Sequence, residues 1–307
     1  MVKIAVLASF NMDLVMRVGR RPEAGETLQG EFAMHLGGKG FNQAVAARRL
    51  GADVVVCGRV GDDEFGRRFL AALDDEGIDR RAVVVDSEAG TGVATIYVEP
   101  DGTNTIVQSP RANLNTTAAD VERAVPLFED AQIAMTQREL SLAGTRQFLE
   151  IAWCVGGRFF NPAPAGDVPR DILALSDIVV ANEIEARTLL GLPCGTVAEC
   201  RHAAEELRNR GHRIVVITMG AEGAIGVSAE AAVHAPAIAV PVADTTGAGD
   251  AFCAGLAVRL AEGAELADAM RFGNAAGAVA CTKDGAYPSM PYRAEVEALL
   301  REQGAGR

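Results

Sequence analysis

A glycine-rich turn that leads straight into an apolar run constrains this chain more than any other stretch. The turn is Asp-Thr-Thr-Gly-Ala-Gly-Asp at residues 244–250, and the apolar residues 251–256 follow it at once. Small residues before a helix-forming run leave backbone N–H groups without partners at a helix start, where the helix dipole attracts anions. The turn therefore predicts a phosphate-binding helix N-terminus.

Asp250, the last residue of this turn, has two interpretations. A carboxylate beside an anion-binding loop repels phosphate, so its presence there suggests a base for chemistry on a neighbouring hydroxyl. Asp is also a preferred helix N-cap, in which case the side chain would only complete the helix start. The stretch alone favours neither interpretation.

The composition argues against several classes of function. The chain has a net charge of −12, whereas nucleic-acid-binding proteins need clustered Lys and Arg. The six cysteines form no CxxC pair and the four histidines are scattered, so neither a zinc site nor a disulfide framework is expected. No apolar run approaches about 18 residues, and the first, residues 2–8, is too short for a signal sequence. We expect a cytoplasmic protein with reduced thiols that binds neither nucleic acid nor membrane.

Short β-branched runs alternate with helical patterns over most of the chain. Continuous apolar strands separated by amphipathic helices indicate a parallel sheet covered on both faces. We therefore predict an α/β fold with a central, mostly parallel sheet. The strand runs are residues 2–8, 54–56, 83–85, 133–135, 178–180 and 214–217, and the helical patterns include residues 63–76, 141–153, 183–190 and 196–210.

Two segments interrupt this alternation. Residues 12–36 and 91–113 contain short, hairpin-like strands with no helix between them. We predict that they pair into a small accessory sheet, a lid inserted into a single domain of residues 1–307. The last third predicts helices near residues 248–262, 264–281 and 292–302, followed by a frayed tail at residues 304–307.

Two further motifs also have ordinary explanations. Residues 37–40, Gly-Gly-Lys-Gly, lack the first glycine of a P-loop because Ala33 stands at that position. They are instead interpreted as a loop at a helix start. Asn182 and Glu185 follow a buried strand at the spacing of a capping box, and this spacing alone does not separate a helix cap from a ligand pair.

Five motifs spread along the chain form a set. They are Gly-Gly-Lys-Gly-Phe-Asn-Gln-Ala-Val-Ala-Ala at residues 37–47, Asn-Pro-Ala-Pro-Ala at 161–165, Asn-Glu-Ile-Glu-Ala at 182–186, Ile-Thr-Met-Gly at 217–220 and Asp-Thr-Thr-Gly-Ala-Gly-Asp at 244–250. This set resembles the ribokinase-like carbohydrate kinases, the PfkB family. The motifs occur in that family's order, so the resemblance spans nearly the whole chain.

The resemblance implies an ATP-dependent sugar kinase. Asp250 matches the base that takes the proton of the sugar hydroxyl, while Gly247, Ala248 and Gly249 match an anion hole for the transferred phosphate. The implied substrate is D-ribose, phosphorylated at its terminal hydroxyl. The implied sugar-binding residues are Asn11, Asp13, Gly38, Lys39, Asn42, Glu139 and Asp250.

The resemblance also implies sites for the nucleotide and for two kinds of cation. Asn182 and Glu185 would lie near the phosphates and their Mg²⁺. The positions implied near the nucleoside are Thr218, Gly220 and Asn274. A potassium ion would be surrounded, mostly by backbone oxygens, at Asp244, Thr246, Ala280, Lys283, Gly285 and Ser289. Without the resemblance, residues 283–289 would be interpreted as a solvated turn.

The predicted lid corresponds to the family's cover over the sugar, which commonly also forms a homodimer interface.

Arg111 stands where the family usually has glycine, and Arg138 replaces an apolar residue beside Glu139. These arginines could bind a carboxylate or phosphate on the substrate, or they could be solvated on the lid surface. A sugar acid, a phosphosugar or a nucleoside is therefore an alternative substrate, and a non-catalytic sugar sensor is an alternative function.

Overall fold

The structure is a computed structural model that describes residues 1–305 except for the side chains of Cys154 and Ala305. Over these residues the strands form a nine-stranded sheet at the centre of the protein and a second, four-stranded sheet. The strands are β1 (Lys3–Ala8), β2 (Asn11–Arg17), β3 (Glu31–Gly37), β4 (Asp53–Gly61), β5 (Asp79–Asp86), β6 (Gly92–Val98), β7 (Asn104–Ser109), β8 (Ile133–Gln137), β9 (Arg158–Asn161), β10 (Ile178–Asn182), β11 (Ile214–Thr218), β12 (Ala224–Val227) and β13 (Ala232–Ala235). The helices are α1 (Lys39–Arg49), α2 (Glu64–Asp75), α3 (Ala118–Phe128), α4 (Leu142–Ile151), α5 (Arg170–Leu173), α6 (Glu183–Leu190), α7 (Val197–Asn209), α8 (Ala248–Ala261), α9 (Leu266–Cys281), α10 (Ala286–Ser289) and α11 (Arg293–Ala305).

The large sheet has the strand order β13-β12-β11-β10-β9-β8-β1-β4-β5. The pairs from β11 to β5 are parallel, and the β11–β12 and β12–β13 pairs are antiparallel. The predicted α/β fold with a mostly parallel central sheet is confirmed. The short hairpin strands β12 and β13 and the four-residue β9 were not predicted, because so few residues give no clear apolar period.

Helices cover both faces of this sheet. The main core lies under α1, α2, α8 and α9, and two smaller apolar clusters lie under the helices of the opposite face. Helix α8 is apolar on every side because it packs between α1 and α9, and its residues 250–258 are all buried. Helix α3 was not predicted from the sequence, since Pro126 interrupts its helical pattern.

The second sheet has four strands in the order β3-β2-β6-β7. Strands β2 and β6 are parallel, and the two outer pairs are antiparallel. Asn113 ties this sheet to the central one, because its side-chain amide accepts a hydrogen bond from the Phe10 N–H (2.9 Å) and donates one to the Phe10 carbonyl (3.0 Å). The strands fall in the two segments predicted to form the lid, except that β2 begins one residue before the first segment and β3 ends one residue after it, and we call this sheet the lid sheet.

Helix α11 continues to Ala305, so residues 304 and 305 are helical and not frayed as predicted. The remainder of the predicted tail, residues 306–307, lies outside the described residues. Over residues 1–305, none of the helices combines the length and the apolar character that crossing a membrane requires.

Candidate functional site

Polar residues collect where the parallel strands end. Gln137, Asn161, Asn182 and Thr218 are the last residues of β8, β9, β10 and β11, and Ser9 follows β1. The strand register pairs Gln137 with Asn161 and Asn182 with Thr218, so these side chains share one edge of the sheet. The carboxyl edge of an open parallel sheet is where α/β proteins place their ligands.

Helix α1 begins against this edge. The Gly40 N–H donates to the Ser9 hydroxyl (3.1 Å), and the Phe41 N–H donates to the Ser9 carbonyl (3.1 Å). A Cβ atom on Gly40 would lie 2.4 Å from the Ala8 Cα atom, so only glycine allows the helix to approach β1 this closely. Gly38 is the N-cap residue, and Lys39 already belongs to the helix, so the last two residues of the predicted loop are helical.

Helix α8 begins at Ala248, after the glycine-rich turn. Gly247 is its N-cap residue with φ of 80°, a left-handed conformation that glycine adopts without strain. The Ala248 N–H donates to the Thr245 carbonyl (3.2 Å), so this N–H group of the predicted anion hole is engaged within the turn. Gly249 is exposed, with free space around its Cα atom, and no side chain of the described residues caps the helix.

The Asp250 carboxylate points across to α1 instead of capping α8. It is 6% exposed and accepts hydrogen bonds from Asn42 Nδ2 (3.0 Å) and Gln43 Nε2 (3.1 Å). The interpretation of Asp250 as a helix cap is therefore wrong. The two amides fix both carboxylate oxygens in one orientation beside the start of α8.

A chain of buried amides lies beneath this carboxylate. Gln137 Nε2 donates to Gln43 Oε1 (2.8 Å), and Gln43 Nε2 also lies 3.2 Å from Asn161 Oδ1. Asn161 Nδ2 donates to the Val180 carbonyl (2.8 Å), which anchors the chain on β10. Gln43 and Asn161 lie in two of the motifs, but the sequence assigned no role to them or to Gln137, although Gln43 directly follows Asn42 and the other two end parallel strands.

Asp13 has an unusual electrostatic environment. Burial raises its pKa first, the carboxylates of Glu139 and Asp250 add to this effect, and Lys39 opposes it; together they bring the pKa to about 7. Burial also raises the pKa of Asp250, against Lys39 and the two amide donors. For Lys39, burial would lower the pKa, but the charges of Asp250, Glu139 and Glu185 outweigh it and keep the ammonium group protonated. Asp13, Lys39, Glu139, Asp250 and Glu185 therefore form one coupled group of charges.

Two buried amides of this region have polar atoms without partners. Asn11 is 2% exposed and its Nδ2 atom lacks a hydrogen bond, while its Oδ1 atom accepts one from Asn113 (3.0 Å). Asn42 is 4% exposed and its Oδ1 atom is also unpaired. A buried unpaired polar atom costs about 1–3 kcal/mol, so a ligand rich in hydroxyl groups would stabilise both. Asn11 is the first residue of the lid strand β2.

Glu139 accepts hydrogen bonds from three directions. Its Oε2 atom accepts from the Ser9 hydroxyl (2.7 Å) and the Lys39 N–H (2.9 Å), and its Oε1 atom accepts from Gln108 Nε2 (2.9 Å) on the lid strand β7. The structure therefore brings Glu139 to the first turn of α1, beside the other predicted sugar ligands. Gln108 had no signal in the sequence, since its contact depends on how the lid sheet folds over the core.

Asn182 and Glu185 form a complete capping box at the start of α6. Asn182 Oδ1 accepts from the Glu185 N–H (2.8 Å), and the Glu185 carboxylate accepts from the Asn182 N–H (2.9 Å) and from Nδ2 (3.0 Å). Burial raises the pKa of Glu185, opposed by Asn182 and Lys39. The capping box that the sequence left undecided is thus present. The charges of Lys39 and Asp250 also act on the pKa of Glu185.

The other predicted nucleotide positions lie farther along the sheet. Thr218 ends β11 beside Asn182, and Gly220, with φ of 50°, opens the turn that follows. Asn274 on α9 donates to the carbonyls of Ala235 (2.8 Å) and Pro236 (3.0 Å), so its amide group supports the backbone after β13. Within residues 1–305, no hydrogen bond joins Asn274 to the Lys39–Asp250 group.

Asp244 joins the two segments of the predicted cation loop. Its carboxylate accepts from the Thr246 N–H (2.9 Å) and hydroxyl (2.6 Å) and from the Gly285 N–H (2.9 Å). Burial would raise the pKa of Asp244, but these hydrogen bonds outweigh it and lower the pKa, so the charge persists there. The remaining predicted ligands have other contacts: the Ala280 carbonyl accepts from the Lys283 N–H, Lys283 Nζ pairs with Glu295, and Ser289 Oγ donates to Ala286.

Neither unusual arginine presents its guanidinium group to the predicted sugar ligands. Arg111, with φ of 48°, donates to the Thr91 carbonyl (3.0 Å) and lies 3.9 Å from the Asp63 carboxylate. Arg138 donates to the carbonyls of Asp167 (3.2 Å) and Pro164 (3.3 Å). Both side chains bind nearby backbone, which leaves the sugar side of the site without an arginine from these two positions.

Together the fold and the site define an α/β protein with a buried carboxylate beside an uncapped helix N-terminus. The model of the pfkB family carbohydrate kinases matches residues 1–293. The chain belongs to this family, the carbohydrate kinases of the pfkB type. It is 36% identical to mouse ribokinase, covering 97% of this chain and 94% of the relative.

Two further similarities come from other organisms. Deoxyribokinase from Salmonella typhimurium is 33% identical, with 94% of this chain and 95% of that protein covered. The structure of Arabidopsis thaliana ribokinase complexed with ribose and ATP is 29% identical and has a TM-score of 0.90, with 98% of this chain and 99% of that chain covered.

The raised pKa of Asp13 predicts a pH-dependent stability. The folded protein keeps this proton up to about pH 7, while the unfolded chain releases it near 3.8, so ionisation of Asp13 opposes folding as the pH rises through this window. The difference in unfolding free energy, Asp13→Asn minus the unsubstituted protein, should therefore rise by about 1 kcal/mol or more from about pH 5 to about pH 8. Urea unfolding at both pH values measures this difference.

Asp86→Asn is the control of opposite sign. Hydrogen bonds, first from Asn115 and then from the N–H groups of Ala89 and Glu88, lower the pKa of Asp86 despite its burial. Its substitution should therefore cost stability at about pH 8 and less at low pH, where the carboxylate loses its advantage. An equal effect of Asp13→Asn at both pH values would contradict the assignment.

Proposed function

We propose that this protein transfers the γ-phosphate of ATP to the terminal hydroxyl of D-ribose, giving ribose 5-phosphate and ADP. The observation that carries the proposal is the Asp250 carboxylate, 6% exposed and held by Asn42 and Gln43 in the first turn of α8. A carboxylate in this position can accept a proton beside a helix start that favours phosphate. Ribose is the proposed acceptor because the chain is similar to ribokinases over nearly its whole length.

In the proposed reaction Asp250 acts as the general base. The terminal hydroxyl oxygen attacks the γ-phosphorus, its proton passes to the carboxylate, and the bond to the ADP oxygen breaks. Burial raises the pKa of Asp250, which makes it a better proton acceptor than an exposed aspartate. The N–H groups of Gly249 and Asp250, at the uncapped start of α8, would stabilise the charge on the transferred phosphate.

The sugar would bind between the lid sheet and α1. Carboxylate and amide oxygens of the site accept hydroxyl protons, whereas Lys39 and the Asn11 amide donate. The unpaired atoms Asn11 Nδ2 and Asn42 Oδ1 are a donor and an acceptor, and both can be satisfied by one polyol. The proposed sugar-binding residues are Asn11, Asp13, Gly38, Lys39, Asn42, Glu139 and Asp250.

The nucleotide would lie beyond the ends of β10 and β11. Thr218 and Gly220 follow there, and Asn274 supports the adjoining backbone. The described residues contain no cluster of three or more His, Cys, Asp or Glu able to hold a metal ion. Mg²⁺ would therefore be held mainly by phosphate oxygens and water, as is common for this ion, with Asn182 and Glu185 nearby to orient the bound water.

Replacing the proposed base tests this function directly. Asp250→Asn keeps the size and can still accept hydrogen bonds, but it cannot take the proton, so we expect kcat to fall by about 10²- to 10⁴-fold. ADP release with ribose measures the loss, and circular dichroism confirms folding. Asp268→Asn is the matched control, since Asp268 lies exposed in the first turn of the neighbouring helix α9. Near-normal turnover of Asp250→Asn would refute the assignment.

A panel of possible acceptors in the same assay separates the alternatives. Faster ADP release with a sugar acid, a phosphosugar or a nucleoside than with ribose would identify that compound as the substrate. Ribose binding without ADP release from any acceptor would favour a sensor. The contacts of Arg111 and Arg138 with backbone carbonyls support a neutral sugar over an anionic one.

We also propose a potassium site at the cation loop. Asp244 keeps its negative charge between the Thr246 and Gly285 segments, and the backbone carbonyls there can replace the hydration shell of a weakly hydrated ion. The ion would fix the turn that leads into α8. The proposed ligands are Asp244, Thr246, Ala280, Lys283, Gly285 and Ser289.

We therefore expect turnover to be several-fold faster in potassium than in sodium chloride at equal ionic strength. Asp244→Asn should abolish most of this difference, because the charge that attracts the ion is lost. Melting curves in both salts provide a second readout that does not need turnover. Equal rates and equal melting temperatures in the two salts would count against the site.

The lid sheet supports a proposed homodimer. Its register places Leu14 opposite Met34, Met16 opposite Phe32, and Thr95 between Leu14 and Val107, so these residues share one face. On that face Phe32 is 58% exposed and Val107 is 65% exposed. A broad exposed apolar face on a small sheet is typical of an interface between copies.

Charges on this face should dissociate the dimer. We expect the double variant Phe32→Glu, Val107→Glu to sediment as a monomer at concentrations where the unsubstituted protein is a dimer, since burying two carboxylates is costly. Ile106→Glu is the control, because Ile106 is 55% exposed on the opposite face of the same strand. A monomeric unsubstituted protein in sedimentation velocity would contradict the proposal.

A further inference from the structure

Gln108 lies on the face of the lid sheet that carries Asp13. The register pairs Gln108 with Ala94 on β6, and Ala94 with Asp13 on β2, so the three residues form a row across the sheet. The hydrogen bond from Gln108 to Glu139 places this face toward the core site, and the charges of Glu139 and Asp250 raise the pKa of Asp13 on the same face. Gln108 is therefore a lid residue on the side where the sugar would bind.

Gln108 spans the gap between lid and core. Its Nε2 atom donates to Glu139 Oε1 at 2.9 Å. The other carboxylate oxygen, Oε2, already accepts from the Ser9 hydroxyl and the Lys39 N–H, both of which belong to the core. Oε1 of Glu139 is thus the oxygen that faces the lid, and Gln108 is its donor.

This pair has the chemistry to recognise one hydroxyl group. A hydroxyl donates one hydrogen bond and accepts others, so it can enter between the two side chains, donating to Glu139 and accepting from Gln108. When a sugar lacks that hydroxyl, the amide and the carboxylate can bond to each other as they do here, and neither is left unpaired. Strong discrimination between sugars normally depends on polar groups that are left unpaired by the wrong one.

We propose that Gln108 is a specificity-determining residue that, with Glu139, reads one hydroxyl of the sugar and permits sugars that lack it. The inference rests on the proposed sugar kinase function and deepens it. Removal of the amide leaves Glu139 Oε1 without a donor in the complex with the deoxygenated sugar. In the complex with ribose, the hydroxyl still donates to that oxygen. Loss of Gln108 therefore makes the enzyme more selective for the complete sugar.

The test compares Gln108→Met with the unsubstituted protein on D-ribose and three analogues that each lack one hydroxyl: 2-deoxy-D-ribose, 3-deoxy-D-ribose and 1,4-anhydro-D-ribitol. Met keeps the length of the side chain but has no N–H donor. We expect the ratio of kcat/KM for ribose to that for one analogue to rise about tenfold, mainly through KM, because one partly buried acceptor loses its partner only with that analogue. Calorimetric Kd values for the same sugars without ATP give an independent readout.

The control is Asn104→Met, on the same face of β7 at the far end of the strand. It should leave all three ratios unchanged, and so should any general loosening of the lid, which lowers activity on every sugar alike. Turnover of ribose with unchanged ratios in Gln108→Met would overturn the inference and leave the proposed function standing. If the unsubstituted protein neither phosphorylates nor binds a pentose, the proposed function fails and the inference fails with it.

Discussion

The site depends on two hydrogen bonds that cross from α1 to α8 and end on Asp250. They require α1 to begin directly against β1, which the absence of a side chain at Gly40 allows, and they require α8 to begin at the left-handed Gly247. Asn42 and Gln43 then face the carboxylate with both amide groups. Because the carboxylate is buried, these donors and the charge of Lys39 decide both its orientation and its proton affinity.

The lid sheet completes this arrangement from the other side. Asn113 binds the backbone of Phe10 just before the first lid strand, and Asn11 and Asp13 open that strand within reach of the charges on the core. The site therefore combines groups from α1, α8, the end of β8 and the lid. Asn11 Nδ2 on the lid and Asn42 Oδ1 on α1 have no hydrogen-bond partner, so the proposed ligand between the two parts would satisfy a polar atom of each.

The alternation of β-branched runs and helices was sufficient to predict the central sheet, because each buried parallel strand is a local apolar pattern. The motif around Asp250 gave its position but left open whether it caps α8, since that depends on a contact with Asn42 some 208 residues away in sequence. The roles of Gln43, Gln137, Asn161 and Gln108 were missed for the same reason. A motif can contain a glutamine or an asparagine, as at Gln43 and Asn161, but only the packing of separate strands shows which groups it bonds to. The roles assigned to the site residues remain predictions.

The central claim is that Asp250 faces the hydroxyl that receives the phosphate. A crystal structure with D-ribose and a non-hydrolysable ATP analogue measures the distance between the terminal hydroxyl oxygen and the nearer carboxylate oxygen most directly. We predict a hydrogen bond of about 2.6–3.2 Å with the hydroxyl also directed at the γ-phosphorus. A ribose bound with that hydroxyl turned away, while Asp250 still contacts only Asn42 and Gln43, would contradict the account.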